Sequence, residues 1–175
     1  MLIEFSVQNY RSFYKQVSFS MEASSRAEHP GHVMELARQR ILKTSAFYGA
    51  NASGKSNLLR SFAFMKNLVL NSSKDTQTGE EIKTEPFLLN SSGAEEPTRM
   101  EVVFLAEETI YRYGFACSAK RVEKEWLFAR STKPKSRELQ MFERSAGSEY
   151  QVHPSFKEGK GSLLMFLKEN TLLLS

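Results

Sequence analysis

The sequence predicts an α/β (α+β) fold in which a strand, a glycine loop and a helix are joined to an antiparallel β-meander. Three observations lead there. Gly49-Ala50-Asn51-Ala52-Ser53-Gly54-Lys55-Ser56 matches G-x-x-x-x-G-K-[ST] at each fixed position. An apolar stretch precedes that loop and a helix-period stripe follows it. From about residue 100 the apolar period changes from helical to alternating.

The elements follow in chain order. Ile3, Phe5 and Val7 alternate with polar residues, as do Val17, Phe19 and Met21, so two half-buried strands flank the turn Asn9-Tyr10-Arg11-Ser12-Phe13. Ser24 to Gln39 is polar and holds His29-Pro30-Gly31-His32, which fits a surface connection. Ile41 to Tyr48 is apolar and β-branched enough for a buried strand running into the loop. Leu58, Phe62, Met65 and Val69 recur at helical spacing, widened by Leu59 and Leu68, and form a core-packing stripe. A polar break over Asn71 to Gly79 ends that helix. The alternating segments Met100 to Leu105, Thr109 to Ala116, Val122 to Phe128, Leu139 to Phe142 and Tyr150 to Val152 then form the meander. The expected organisation is 1–70 for the hairpin and loop unit, 71–99 for a connection, 100–153 for the meander and 154–175 for the start of a further element.

At 175 residues with 41% hydrophobic and 25% charged side chains, the chain has the composition of one globular domain. Met1 to Tyr10 lacks the charged start and apolar centre of a signal peptide, and apolar runs such as Leu163 to Leu167 are too short to span a membrane. A cytoplasmic protein is expected. Cys117 is the one cysteine, and His29, His32 and His153 have no ligand spacing, so no structural metal is expected.

The loop has the chemistry of a phosphate cradle. Gly49 and Gly54 allow backbone N–H groups to wrap an anion. Lys55 can reach the β- and γ-phosphates, Ser56 offers a hydroxyl to Mg²⁺, and the positive helix end adds a favourable field. A nucleotide phosphate with Mg²⁺ is therefore the expected ligand.

The form G-x-N-x-x-G-K-S-N, ending at Asn57, resembles the loop of ABC-type ATPase heads in the structural-maintenance-of-chromosomes (SMC), Rad50, RecF and OLD proteins. Asn9-Tyr10-Arg11-Ser12-Phe13 is similar to the N-F-[RK]-S-F turn upstream of the loop in those heads. Within that group the chain resembles the AAA15-type ATPases, prokaryotic proteins often encoded with anti-phage or abortive-infection effectors. That likeness adds, in order, Pro86-Phe87-Leu88-Leu89-Asn90, Glu96-Pro97-Thr98, Tyr111-Arg112-Tyr113-Gly114-Phe115, Glu125-Trp126-Leu127, Met141-Phe142-Glu143-Arg144 and Asn170-Thr171-Leu172-Leu173-Leu174-Ser175. The resemblance implies a P-loop NTPase fold, specifically the N-terminal lobe of an ABC-type head, in which residues 154–175 begin a helical lobe cut short. It implies ATP binding by Gly49, Asn51, Ala52, Ser53, Gly54, Lys55, Ser56, Asn57 and Arg11, with Ser56 on the Mg²⁺. It also implies a homodimer with nucleotide between heads when full length, and an effector protein or nucleic acid responding to closure.

A hydrolysing head needs an aspartate and a glutamate after an apolar strand to hold Mg²⁺ and polarise water. The one aspartate, Asp75, lies in the polar stretch Ser73-Lys74-Asp75-Thr76-Gln77 and cannot serve. Glu107-Glu108 follows Val102 to Leu105 but precedes a partner strand, so it is a hairpin turn. Ser91-Ser92-Gly93-Ala94-Glu95 is similar to the signature of ABC heads but is best read as a turn. No glutamine, Gln77 included, is assignable to the metal. The chain is thus expected to bind nucleotide as an N-terminal fragment without hydrolysing it alone. The alternatives are a P-loop phosphotransferase, which the missing aspartate disfavours, and a non-catalytic interaction module.

Lys120, Arg121, Lys124, Arg130, Lys133, Lys135, Arg137 and Arg144 form a basic stretch that could track nucleic-acid phosphate. No aromatic is interleaved with Lys133, Lys135 and Arg137, so a solvated loop is the simpler reading, with Trp126 and Phe128 packing the sheet.

Overall fold

Alternation of apolar and polar side chains over the meander drives its strands into one sheet with an apolar and a polar face. The computed structural model describes residues 1–25, 29–36, 39–75, 80–90, 93–147, 150–156 and 167–175. Strands β1 (Leu2–Gln8), β2 (Val17–Ser20), β5 (Thr98–Ala106), β6 (Thr109–Cys117), β7 (Val122–Ser131), β8 (Leu139–Ser145) and β9 (Gln151–Val152) form the sheet in the order β2-β1-β5-β6-β7-β8-β9. Every neighbouring pair is antiparallel. Strand β1 pairs on its other edge with β5, a long-range contact that joins the N-terminal hairpin to the meander.

One face of the sheet carries Phe5, Val7, Met100, Tyr113, Phe115, Leu127 and Phe142, all buried. Helix α1 (Lys55–Asp75) packs on it through Met65 and Leu68. The opposite face is apolar only at one end, where Ile3, Leu105 and Ile110 meet Ile41. Elsewhere that face is polar: Trp126 Nε1 donates to Glu101, Arg99 lies 4.4 Å over the Trp126 ring, and Arg112 lies 4.1 Å over Phe128. Trp126 and Phe128 thus pack on the sheet, as their sequence context predicts. Gly114 makes room for the indole, since a Cβ there would stand 2.4 Å from Trp126 Cζ2.

The described residues of the 24–39 connection lie on the surface, as expected: after a single 3-10 turn at Pro30–His32 they include β3 (Val33–Leu36), which pairs with β4 (Gln39–Leu42) as a hairpin. Three expectations are corrected. The buried strand expected over Ile41 to Tyr48 stops at Leu42, because the residues beyond it have no strand beside them; Tyr48 is 92% exposed. Helix α1 runs five residues, Asn71 to Asp75, into the expected polar break. There Asn71 Nδ2 bonds Asn67 Oδ1 one turn back, and Ser72 Oγ accepts from Leu172 N at 3.0 Å. Tertiary and i,i+4 bonds offset the low helix preference of Asn and Ser. The stripe on α1 is only partly buried, since Leu59 is 65% exposed and Phe62 reaches the core by its ring contact with Phe5.

Candidate functional site: the glycine loop and its supporting turn

Asn51 to Asn57 line an open groove of about 360 Å³ at the start of α1. Ala52 and Gly54 take left-handed backbone angles, φ 65° and 94°, a geometry that turns successive N–H groups toward one concavity. Helix α1 begins at Lys55, so its first-turn N–H groups lack intrahelical acceptors, and its first turn holds no acidic residue to compete for them. Gly49 differs from expectation in its reason: its φ is outside the left-handed region, and its missing Cβ instead leaves room for Ser53 Oγ, 3.0 Å from that position.

Lys55 Nζ donates to the Gly49 and Ala50 carbonyls, each at 2.7 Å, and lies 3.4 Å from Ser53 Oγ. Its charge therefore sits within the loop. Donor set, open groove and backbone geometry fit a nucleotide phosphate, with the Ser56 hydroxyl exposed at the helix start for a metal ion.

The turn predicted at 9–13 abuts the loop. Asn57 Nδ2 donates to Ser12 Oγ at 2.9 Å, and the Phe13 ring lies 3.2 Å from where a Cβ on Gly54 would stand. Arg11, one residue away, has φ 50°, and its Nη2 contacts Glu85 Oε1 at 2.5 Å. Its backbone N–H also donates to Glu85 O at 2.7 Å, while Nε is buried without a partner. Glu85 carries no motif, and sequence reading missed it.

The turn is held from behind by Asn9, fully buried at φ 50°. Asn9 Nδ2 donates to Gly93 O and Glu96 O at 2.8 and 2.7 Å, Oδ1 accepts from Phe87 N at 3.0 Å, and its carbonyl accepts from Thr98 Oγ1 at 2.8 Å. The weak signals Pro86 to Asn90 and Glu96-Pro97-Thr98 therefore converge on one side chain.

A second convergence joins Glu125, Arg144, Tyr113 and the 170–175 segment. Glu125 is fully buried and accepts from Arg144 Nε at 2.8 Å, Tyr113 Oη at 2.9 Å and Leu173 N at 2.9 Å. Arg144 also donates to Thr171 O. Burial raises the Glu125 carboxyl above its ordinary range, opposed by the Arg144 charge and the Leu173 amide. The pair is cross-strand, Glu125 facing Arg144 between β7 and β8. An acid on an apolar strand face opposite an arginine is the signal that would have found it.

The remaining candidates are dispersed. Glu107 and Glu108 form the β5–β6 turn, with Glu107 at φ 52°, as predicted. Gly93 to Glu95 are in a turn, whereas Ser91, Ser92 and Gln77 lie outside the described residues; Asp75 is the last residue of α1 rather than part of a loop. Of the basic stretch, Arg121, Lys124 and Arg144 pair with Glu123, Glu143 and Glu125. Lys120 precedes β7, and Lys133, Lys135 and Arg137 follow it. These groups are separated by the ten residues of β7, about 30 Å of extended chain. Among the described residues no helix is long and apolar enough to cross a membrane.

Residues 45–156 match the family model described as "AAA domain, putative AbiEii toxin, Type IV TA system". No curated protein matches the chain.

Proposed function

Since the chain belongs to this AAA-domain family of ATPase-like modules, we propose that it is the ATP-binding lobe of an ABC-type, SMC-like head of the AAA15 kind. In this reading it acts in a prokaryotic cytoplasm as one half of a dimeric switch for an effector in phage defence. The observation that carries the reading is the groove at the start of α1, where left-handed Ala52 and Gly54, the Lys55 ammonium and the first-turn amides share one concavity.

The family uses ATP with Mg²⁺, and bound Mg²⁺-ATP would supply the transferable phosphoryl group. The loop amides of Ala52 to Lys55 bind phosphate oxygens, and the Lys55 ammonium neutralises charge beside them. The Ser56 hydroxyl serves the metal, and Asn57 fixes the helix start on Ser12. None of the groove residues Asn51 to Asn57 is acidic, so these side chains hold and orient nucleotide and leave the polarising of an attacking water to other groups.

Calorimetric titration of Mg²⁺-ATP into the native chain and Lys55→Ala tests this. Charge-assisted hydrogen bonds contribute roughly 1.5–3 kcal/mol each, so the variant should bind about tenfold more weakly or worse. Equal affinity for both proteins overturns the assignment. Phosphate release by the native chain alone should stay at the level of Lys55→Ala.

A further inference from the structure

We propose that Glu85 is a positioning residue which stores the Arg11 guanidinium, and that bound nucleotide phosphate competes with Glu85 for it. The proposal rests on the nucleotide reading above and assigns a role to an acid outside the loop.

The geometry has four parts. First, Arg11 belongs to the turn on which the loop rests: Ser12 holds Asn57 and Phe13 backs Gly54. A cation one residue from those contacts is within the reach of a long side chain. Second, the Arg11–Glu85 pair is single-point. Only Nη2 meets the carboxylate, Nε has no hydrogen-bond partner, and the guanidinium lies 5.9 Å from the Tyr10 ring centroid, so the planar fork that matches carboxylate or phosphate in two bonds is only partly used.

Third, the pair is easily exchanged. The two side chains are 27% and 51% exposed, and exposed ion pairs are weakly held. A multiply charged phosphate offers the guanidinium a bidentate partner in its place. Fourth, the main chain can stay still while the side chain moves. The Arg11 N–H remains on Glu85 O, and Asn9 fastens the turn to Phe87, Gly93, Glu96 and Thr98. Lys55, the one cation among the groove residues, is already engaged with loop carbonyls, which leaves a second positive group to be recruited from the turn.

The test compares Mg²⁺-ATP affinity by calorimetry for the native chain, Glu85→Gln, Glu85→Ala, Arg11→Ala and the two Arg11→Ala double variants. Thermal unfolding of each checks that it is folded. Releasing Arg11 should tighten binding about threefold in Glu85→Ala, and at least as far as native in Glu85→Gln, whose amide oxygen can still accept from Arg11. Arg11→Ala should weaken binding several-fold, and in that background removing Glu85 should change nothing. A merely structural Glu85 would weaken binding when replaced. An acid acting by simple repulsion would give the same gain with or without Arg11. Either result overturns the proposal. Loss of ATP binding by the native chain itself, or equal binding by Lys55→Ala, instead overturns the nucleotide reading and the latch with it.

Discussion

Replacing Arg144 with methionine keeps much of the side-chain volume and removes the charge that faces Glu125. The cost follows from the surroundings of that carboxylate. Glu125 is fully buried, and Arg144 supplies both its counter-charge and the bond to Thr171 O. Breaking a buried pair from one side costs about 3–5 kcal/mol. The Tyr113 hydroxyl and the Leu173 amide still donate to Glu125, which places the expectation at the lower end, about 3 kcal/mol. For a chain of this length each kcal/mol moves the midpoint by about 2–4 °C, so Arg144→Met should unfold roughly 6–12 °C lower.

The pH dependence gives a second check. Burial holds the folded Glu125 value above the ordinary 4.5, so unfolding releases a proton between those two values. The stability contributed by the protonated group is fully present below the unfolded value and is lost as pH rises through the folded one. Arg144→Met raises the folded value further and extends the loss to higher pH, whereas Glu125→Gln removes it. Circular dichroism melts at several pH values measure both effects. A midpoint shift under about 2 °C for Arg144→Met at neutral pH, or a pH profile identical to that of Glu125→Gln, would refute the account of a paired buried charge.

Asn9→Ala strands the Phe87 amide and the Gly93 and Glu96 carbonyls; at roughly 1–3 kcal/mol for an orphaned buried group, denaturant titration should register a loss of about 3 kcal/mol or more. Asn9→Gly loses the same bonds but tolerates φ 50°, so it should be the more stable of the two by about 1 kcal/mol. Gly114→Ala would drive a methyl group into the Trp126 ring and to 2.7 Å from Met100 O, and should cost about 1–3 kcal/mol, with a change in Trp126 fluorescence. The Cys117 thiol is buried and pushed up to about 12, by burial first and the Glu123 charge second. A thiol reagent at pH 8 should leave it unmodified in the folded chain and label it on addition of denaturant.

The meander was legible because its information is local: alternation sets the faces, and adjacent strands are joined by short turns such as Glu107-Glu108. The loop and helix start were legible for the same reason, since eight consecutive residues carry the motif. Ile41 to Tyr48 misled because apolar, β-branched composition describes a preference to be covered, while a strand also needs a neighbour, and beyond Leu42 none is present. The helix stripe misled at Leu59 by the same logic. Asn9 and Glu125 were hidden for a different reason. The side-chain partners of Asn9 lie 78 to 87 residues away and those of Glu125 lie 12, 19 and 48 residues away on other elements, and no window of periodicity reports a polar group satisfied at such distances. The resemblance had placed Phe87, Glu96, Glu125 and Arg144 in order without a reason for them; the bonds to Asn9 and between β7 and β8 supply it.

The two buried polar centres differ in how they could drift over generations. Glu125 and Arg144 face each other as side chains, so a change at one position can be answered at the other, provided that the Leu173 amide and the Thr171 carbonyl keep a partner. Asn9 has no such counterpart. Its partners are the main-chain atoms of Phe87, Gly93 and Glu96 and the hydroxyl of Thr98, and main-chain atoms do not mutate. A history of paired change should therefore be written at 125 and 144, and near-silence at 9, even though both residues are equally out of sight.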